Sequence, residues 1–313
     1  MVNHSSILFC NQRAVTFRVA EKMSPYFLHT TFYLYILFGI VGVTINPLVI
    51  YVIQKTNQTK NQSILLIQYL TILDILTGLS SFSQAYQIHH YKEISCAAII
   101  SIYVVDVTTA YTSSYMAGMV GLDRFLRIQY LARYKEVFTK KRFYLSLFGI
   151  AILVLFQSIL TLSLNVTHYP RYAGPYALPV NIFFVILAFL LHLLSIRKLT
   201  IHQKANRRLS KSSRNITKIA LVYFCTFLIF QGYLLSFQML FVIINGKLKL
   251  EAEAFIIVTK FLMLTTQASI NSIAFLRINR KARRFLKKML HIRPPKKTNT
   301  ENTRNKQSGN TEN

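Results

Sequence analysis

The sequence predicts an all-α membrane protein, a bundle of seven transmembrane helices followed by a short amphipathic cytoplasmic helix. Hydrophobic residues make up 52% of the 313 residues, and they fall in long blocks rather than in the alternating patterns of a soluble domain. Seven blocks reach the length of about 20 residues that crosses ~30 Å of hydrocarbon. The 37 Lys and Arg residues gather between these blocks and in the C-terminal tail.

The apolar blocks set the limits of the seven predicted spans, which are 31–54, 64–88, 95–128, 142–165, 175–199, 212–243 and 252–276. The third and the sixth exceed the length that a bilayer needs, so we expect them to tilt or to project into the cytoplasm. The chain then divides into an extracellular N-terminal segment (1–30), the bundle (31–276), a membrane-surface helix (277–293) and a disordered cytoplasmic tail (294–313).

The distribution of basic residues predicts the orientation of the chain. Of the 37 Lys and Arg residues, 29 lie in the loops after the first, third and fifth spans or from Arg277 onward, and 8 lie on the opposite side. Positively charged loops stay in the cytoplasm, so we expect the N-terminus outside the plasma membrane and the C-terminus inside. The net charge of +27 does not indicate binding to nucleic acid, because the sequence carries no RNA- or DNA-binding motif.

Residues 279–290 predict the short amphipathic helix that follows the seventh span. Ala282, Phe285, Leu286 and Met289 recur at helical spacing, with basic residues between them. A helix of this kind lies on the anionic inner leaflet, so membrane lipid is an expected partner.

Three acidic residues lie within the predicted spans and away from their first and last turns, at Asp74, Asp106 and Asp123. Ionisable side chains are costly in hydrocarbon, so each requires a partner or a function. Asp106 precedes Arg124 by 18 residues, or five helical turns, so the two share one face of the third span about 27 Å apart. Ser113 falls within about 20° of that face. We expect this face to point into the bundle.

The adjacent pair Asp123 and Arg124 ends the third span at a basic loop. The carboxylate can hold the guanidinium in a charge-assisted contact, which predicts a two-state latch that is paired in one state and released toward a partner in another. The alternative is a plain interfacial charge pair whose side chains reach toward water.

The run from Asp123 to Tyr134 reads Asp-Arg-Phe-Leu-Arg-Ile-Gln-Tyr-Leu-Ala-Arg-Tyr. It resembles the Asp-Arg-Tyr-x-x-Ile-x-x-Pro-Leu-x-Tyr motif of the rhodopsin-like (class A) G-protein-coupled receptors. Other spans carry residues that resemble the family's motifs in order and spacing: Asn46 with Val49, then Leu70 to Asp74, and Asn271 to Phe275. The resemblance extends over about residues 30–290.

The resemblance implies a receptor that binds an extracellular small molecule or peptide and passes the signal to a heterotrimeric G protein. The switch that faces the G protein would be built from Asp123, Arg124, Phe125 and Tyr134. The family places a sodium ion in a polar network that matches Asn46, Asp74, Ser113 and Asn271, and a water-filled network without sodium is the alternative.

Asp106 matches the position where amine receptors of this family hold the ligand ammonium. Tyr103 and Tyr111 are expected to flank it as aromatic walls of a ligand site. The alternative is an acid paired with a polar neighbour or with a basic residue such as Lys260. A retinal-binding protein is not expected, because Thr265 stands where the resemblance requires a Schiff-base Lys.

Several departures from the family pattern qualify the mechanism. The chain has no Trp, Phe275 replaces a Tyr, and no Pro follows Phe230 at the family spacing. The second outer loop has no Cys, so the family's bridge to the third span is not expected. A bridge between Cys10 and Cys96 is conceivable, but free thiols are the favoured interpretation.

Asn3 and Asn165 begin Asn-x-Ser/Thr sequences on the expected outer side and are candidate glycosylation sites. The sequence shows no nucleophile–base pair and no metal cluster, so no enzyme activity is predicted. Two rivals to a signalling receptor remain. One is a receptor-like protein that no longer signals, and the other is a transporter with Asp74 and Asp106 as a mid-membrane relay.

Overall fold

A computed structural model of the chain describes most of the bundle. The described residues are 10–11, 16–22, 24–59, 61–130, 133–166, 170–205, 219, 221–222, 224–226, 228–230, 232–233, 236 and 250–291. Eight helices are α1 (Pro25–Lys55), α2 (Gln62–His89), α3 (Cys96–Tyr130), α4 (Tyr134–Val137), α5 (Lys140–Val166), α6 (Pro170–Ala205), α7 (Leu250–Ile278) and α8 (Arg280–Met289). The described residues between 219 and 236, called here the sixth-span segment, are also helical.

The described helices bear out an all-α, multi-pass membrane protein. Five of them, α1, α2, α3, α5 and α7, contain stretches long and apolar enough to cross a membrane. All regular structure in the described ranges is helical. The predicted count of seven spans stays a prediction, since the sixth-span segment is described in part. Asn3 and the tail 294–313 lie outside the described residues.

Helices α1 and α2 pack at very short distance through two glycines. Ser24 caps α1 by accepting a hydrogen bond from the Phe27 backbone N–H, and Pro25 opens the helix. Further along, a Cβ added to Gly42 would lie 2.9 Å from the Cα of Gly78. The backbones therefore meet without any side chain between them, as small residues allow in membrane bundles.

Gly42→Ala is expected to destabilise the protein by about 1–3 kcal/mol, because the added methyl group has to push α1 away from the α2 backbone. Thermal unfolding of the detergent-solubilised protein measures the effect. Gly149→Ala in α5 is the matched control, since a Cβ there meets no atom within 4 Å. An equal response to both changes contradicts the close contact.

The two largest clusters of buried side chains lie near the inner end of the bundle and near the predicted outer end. Phe275 of α7 is fully buried in the inner cluster, beside Val49 and Ile67. The outer cluster includes Phe17 and Ala20 of the N-terminal segment, which pack with residues of α1, α2 and α7. The N-terminal segment is thus part of the packed structure over 16–22, and its extracellular position stays a prediction.

A disulfide joins Cys10 to Cys96, the first residue of α3, with a Cα–Cα distance of 5.5 Å. The favoured interpretation of free thiols is therefore wrong for these two residues, while Cys225 in the sixth-span segment is a free thiol. The bridge attaches the N-terminal segment to α3. The physical reason is that the segment folds back over the bundle, a long-range contact that no local pattern in the sequence reveals.

Helix α8 follows α7 after a single residue, Asn279. The Asn279 side-chain oxygen accepts hydrogen bonds from the backbone N–H groups of Lys281 and Ala282 and so caps α8. Its amide nitrogen donates to Gln58 at 3.0 Å, which attaches the start of α8 to the turn between α1 and α2. The membrane-surface position of α8 stays a prediction.

Candidate functional site

The inner end of α3 carries a buried carboxylate held by two other elements. Asp123 accepts a hydrogen bond from Ser63 of α2 at 2.6 Å and another from the Tyr134 hydroxyl of α4. The Asp123 side chain has no exposed surface. Burial and the Asp123 carboxylate raise the pKa of Tyr134, so its hydroxyl keeps the proton that it donates.

Arg124 lies beside this carboxylate, with its Nη2 atom 3.6 Å from Asp123 Oδ2. Only 4% of the Arg124 side chain is exposed, and its Nε atom has no hydrogen-bond partner among the described residues. The two charges are therefore paired by proximity, but the guanidinium is not saturated. This arrangement differs from an interfacial pair whose side chains extend into water.

Two further cationic side chains lie near the inner end of α3. Arg127 donates to Asn61 at 3.1 Å, and its guanidinium lies 4.4 Å from the centre of the Tyr134 ring. Lys198 of α6 lies 5.4 Å from the centre of the Phe125 ring. Cation–π contacts of this kind position aromatic rings as well as charges, so Phe125 and Tyr134 each lie against a basic side chain at the inner end of α3.

The middle of the bundle holds polar side chains on facing helices. Asn46 donates to the Gly42 carbonyl at 2.9 Å and accepts a hydrogen bond from Ser272 of α7. Thr226 of the sixth-span segment donates to Asn271 at 2.7 Å. Of the four residues predicted to form the polar network, Asn46 and Asn271 therefore each bond to another helical segment, and they do so through different partners.

Ser113 and Asn271 line one small cavity of about 10 Å³ between α3 and α7, which has room for about one water molecule. Asp74 is buried, and its Oδ2 atom has no hydrogen-bond partner among the described residues. Asp74 is not among the residues that line this cavity. The structure therefore brings Ser113 and Asn271 together, and sodium at Asp74 stays a prediction.

Helix α6 reaches the same cavity through a buried histidine. The His192 ring stacks on Phe224 with centroids 4.2 Å apart, and it also lines the cavity with Ser113. A Cβ on Gly121 would lie 3.1 Å from the His192 ring, so the glycine makes room for it on α3. His192 is not among the residues predicted from the sequence. The feature that could have identified it is a single polar residue within an otherwise apolar block.

Asp106 lies nearer the predicted outer end of α3 and is 1% exposed. Ser80 donates to its Oδ1 atom and Gln84 donates to its Oδ2 atom, both from α2. This geometry matches the alternative in which the acid is paired with polar neighbours, and it leaves the ligand role a prediction. Ser80 and Gln84 are not among the residues predicted from the sequence, although Thr77, Ser80 and Gln84 repeat at helical spacing along one face of the second span.

The two tyrosines expected beside Asp106 lie in other surroundings. The Tyr111 hydroxyl is 2.8 Å from Thr161 Oγ1 of α5, and its ring packs with Val107 and Tyr115. Tyr111 therefore faces α5 rather than the α2 side where Asp106 is bonded, because five residues along a helix turn a side chain by about 140°. Tyr103 packs between that cluster and the cluster of Cys10.

The N-terminal segment makes polar contacts with the turn after α2. Tyr91 donates a hydrogen bond to Glu21, and Lys92 lies 3.5 Å from the same carboxylate. The hydrogen bond from Tyr91 holds the pKa of Glu21 below its ordinary value. With the buried side chain of Phe17 and the disulfide, these contacts place residues 16–22 over the ends of α1 and α2.

Comparison with known proteins agrees with this architecture. Residues 45–273 match the model of the family described as "7 transmembrane receptor (rhodopsin family)". The match extends from α1 to the inner part of α7 and includes all of α3. No curated protein matches the chain in sequence.

Proposed function

The chain belongs to the rhodopsin family of seven-transmembrane receptors, and from this premise we propose that it binds an extracellular ligand at the plasma membrane and activates a heterotrimeric G protein. The ligand would bind toward the outer ends of the helices. The inner ends of α3, α6 and the sixth-span segment would then separate to admit the G protein. The N-terminus would be extracellular and the C-terminal tail cytoplasmic.

The observation that carries this proposal is the set of contacts around the buried Asp123 carboxylate. Ser63 and Tyr134 donate to the carboxylate from two other elements, and Arg124 lies 3.6 Å away. An arginine that is buried but not saturated gains hydrogen bonds when it turns toward a partner. The contacts therefore support a latch with two arrangements, one in which Arg124 lies beside Asp123 and one in which it turns toward the G protein.

Asp123→Asn tests the latch. The neutral amide keeps one oxygen that accepts from one of the two hydroxyls of Ser63 and Tyr134, and its NH2 group can donate to the other. It no longer attracts the Arg124 guanidinium. A hydrogen bond to a charged group contributes about 1.5–3 kcal/mol, so we expect ligand-independent nucleotide exchange to rise about tenfold. The measurement is guanine-nucleotide exchange on a panel of purified G proteins, with the full chain in lipid nanodiscs.

Glu136→Gln is the matched control for this change, because Glu136 is an exposed acid of α4 only two residues from Tyr134. It is expected to leave the basal rate unchanged. If neither the parent nor Asp123→Asn promotes exchange on any G protein of the panel, the chain is a receptor-like protein that no longer signals. Transport of an ion or a small molecule into sealed proteoliposomes that contain the chain would instead favour the transporter.

The proposed ligand site is the region around Asp106. A ligand ammonium would join Ser80 and Gln84 as a third partner of the buried carboxylate, and the ion pair would be strong because little water competes. If amines are ligands, Asp106→Asn should weaken their binding at least about tenfold. A screen of amines against both proteins measures this, and equal affinities would end the amine hypothesis.

A further inference from the structure

A cleft opens at the predicted outer end of the bundle between the N-terminal segment, α1 and α2. Its volume is about 160 Å³, similar to that of a cavity that accepts a benzene ring. The apolar part of its lining includes Leu28 and Ile88, which are both buried, and the ring of Phe32. The rest of the lining is polar, so the cleft suits a small molecule with one apolar and one polar end.

The carboxylate and the ammonium of the lining are engaged with each other. Glu21 accepts a hydrogen bond from Tyr91, and Lys92 Nζ lies 3.5 Å from Glu21 Oε1. One negative and one positive charge therefore offset each other at the edge of the cleft. Burial raises the pKa of Tyr91, so its hydroxyl stays neutral and adds no charge.

Two histidines from different helices complete the polar lining. His29 lies on α1 and His89 on α2, and both side chains are exposed. The centre of the His89 ring lies 5.5 Å from that of Phe32, and His29 interacts electrostatically with Glu21. Histidine side chains gain a positive charge as the pH falls from about 8 to about 5. The lining then carries a surplus of positive charge, because Glu21 is already offset by Lys92.

Other charged side chains lie on the described elements around the cleft, at Arg18, Lys22, His90, Glu93, Glu251 and Lys260. Both signs are present among them, and none of them lines the cleft. His90 lies 4.0 Å from Glu93, so these two groups face each other. The charge that a ligand meets in the cleft is therefore set by the two lining histidines and by the Glu21–Lys92 pair.

We propose that the cleft binds a small organic carboxylate with an apolar body through the protonated imidazoles of His29 and His89. The apolar body, about the size of one ring, would pack against Leu28, Ile88 and Phe32. The carboxylate would accept charge-assisted hydrogen bonds from the imidazoles, whereas an ammonium would be repelled by them. The bound ligand would connect the N-terminal segment to α1 and α2.

The test measures binding of 4-fluorobenzoate by ligand-observed fluorine NMR, with the full chain in nanodiscs of zwitterionic phosphatidylcholine and empty nanodiscs as the blank. We expect saturable binding at about pH 5.5 that weakens at least about fivefold at about pH 8. Unlabelled benzoate should compete, whereas benzyl alcohol and benzylamine should compete at least about fivefold more weakly. Affinity that does not change with pH, or equal competition by either analogue, overturns the proposal.

Two variants locate the site. His29→Ala and His89→Ala each remove one imidazole, so each should weaken binding at about pH 5.5 by roughly threefold to fivefold, a modest loss because both side chains are exposed to water. His291→Ala is the control, because it removes an exposed imidazole that follows α8 and does not line the cleft. Its affinity should equal that of the parent. Unchanged affinity in either folded cleft variant, or an equal loss in the control, overturns the assignment.

A double variant separates the charge of the imidazoles from their bulk. His29→Gln with His89→Gln keeps polar side chains in the lining but cannot gain protons. It should lose the dependence of binding on pH, and its thermal unfolding without ligand should match that of the parent, because both positions are exposed. A pH dependence that persists in this variant contradicts the proposal. If an alanine variant does not fold, the double variant decides the question. Binding is measured without a G protein, so the result stands apart from the signalling proposal.

Discussion

Replacing Arg124 with Ala is expected to lower the maximal rate of nucleotide exchange on the cognate G protein by at least about tenfold. The reason is that Arg124 is the buried cation that the proposed latch would release toward the G protein, and losing a charge-assisted contact costs about 1.5–3 kcal/mol. The fold should survive, because Asp123 keeps its hydrogen bonds from Ser63 and Tyr134. Exchange in lipid nanodiscs measures the rate, and thermal unfolding reports the fold.

Arg127→Ala is the matched control, since it removes the same charge three residues later from a side chain bonded to Asn61. Its effect on the maximal rate should be clearly smaller. The double variant Asp123→Asn with Arg124→Ala adds a second check. If the latch acts through Arg124, the double variant should lose the raised basal rate of Asp123→Asn. A parent-like rate in Arg124→Ala would sink the latch hypothesis.

Loss of the disulfide is expected to have the largest effect on stability. Cys10 and Cys96 are 86 residues apart, and closing a loop of this size stabilises proteins by about 2–4 kcal/mol. Cys10→Ser should therefore lower the midpoint of thermal unfolding by several degrees, by roughly 5–10 °C for a change of that size. It should also release the N-terminal segment to added protease.

Cys225→Ser is the control for this experiment, because Cys225 is an exposed free cysteine. Its unfolding temperature should be close to that of the parent. A thiol-reactive maleimide gives an independent readout: the unfolded, unreduced parent should take up one label, and Cys10→Ser should take up two. Three labels on the parent would show that the bridge is not formed.

Much of the inner end of the bundle was predictable, because its residues are close in sequence. Asp123, Arg124 and Tyr134 lie within twelve positions, so one motif brought all three to attention. The same motif does not predict Ser63, which bonds to Asp123 from the neighbouring helix α2. Helical phase indicates which face of α3 is buried, but not which residue of α2 stands opposite it.

The outer end was less predictable for the same physical reason. Asp106 was identified from its cost in hydrocarbon, yet its donors Ser80 and Gln84 depend on how α2 is rotated against α3. Tyr111 was placed beside Asp106 from proximity along the chain, whereas the helical turn directs it to Thr161. The pairing of Cys10 depends on a segment folding back over the bundle, which no periodic pattern encodes.

The contacts of α1 define a framework that would stay in place during the activation motion that we propose. α1 meets α2 at the glycine pair, it meets α7 where Tyr35 donates to the Val258 carbonyl at 3.0 Å, and the turn after it binds Asn279 at the start of α8. A fluorescent reporter or fusion partner that is meant to follow activation belongs on α6 or the sixth-span segment. An immobilisation tag belongs on the framework, where attachment leaves the proposed motion unhindered.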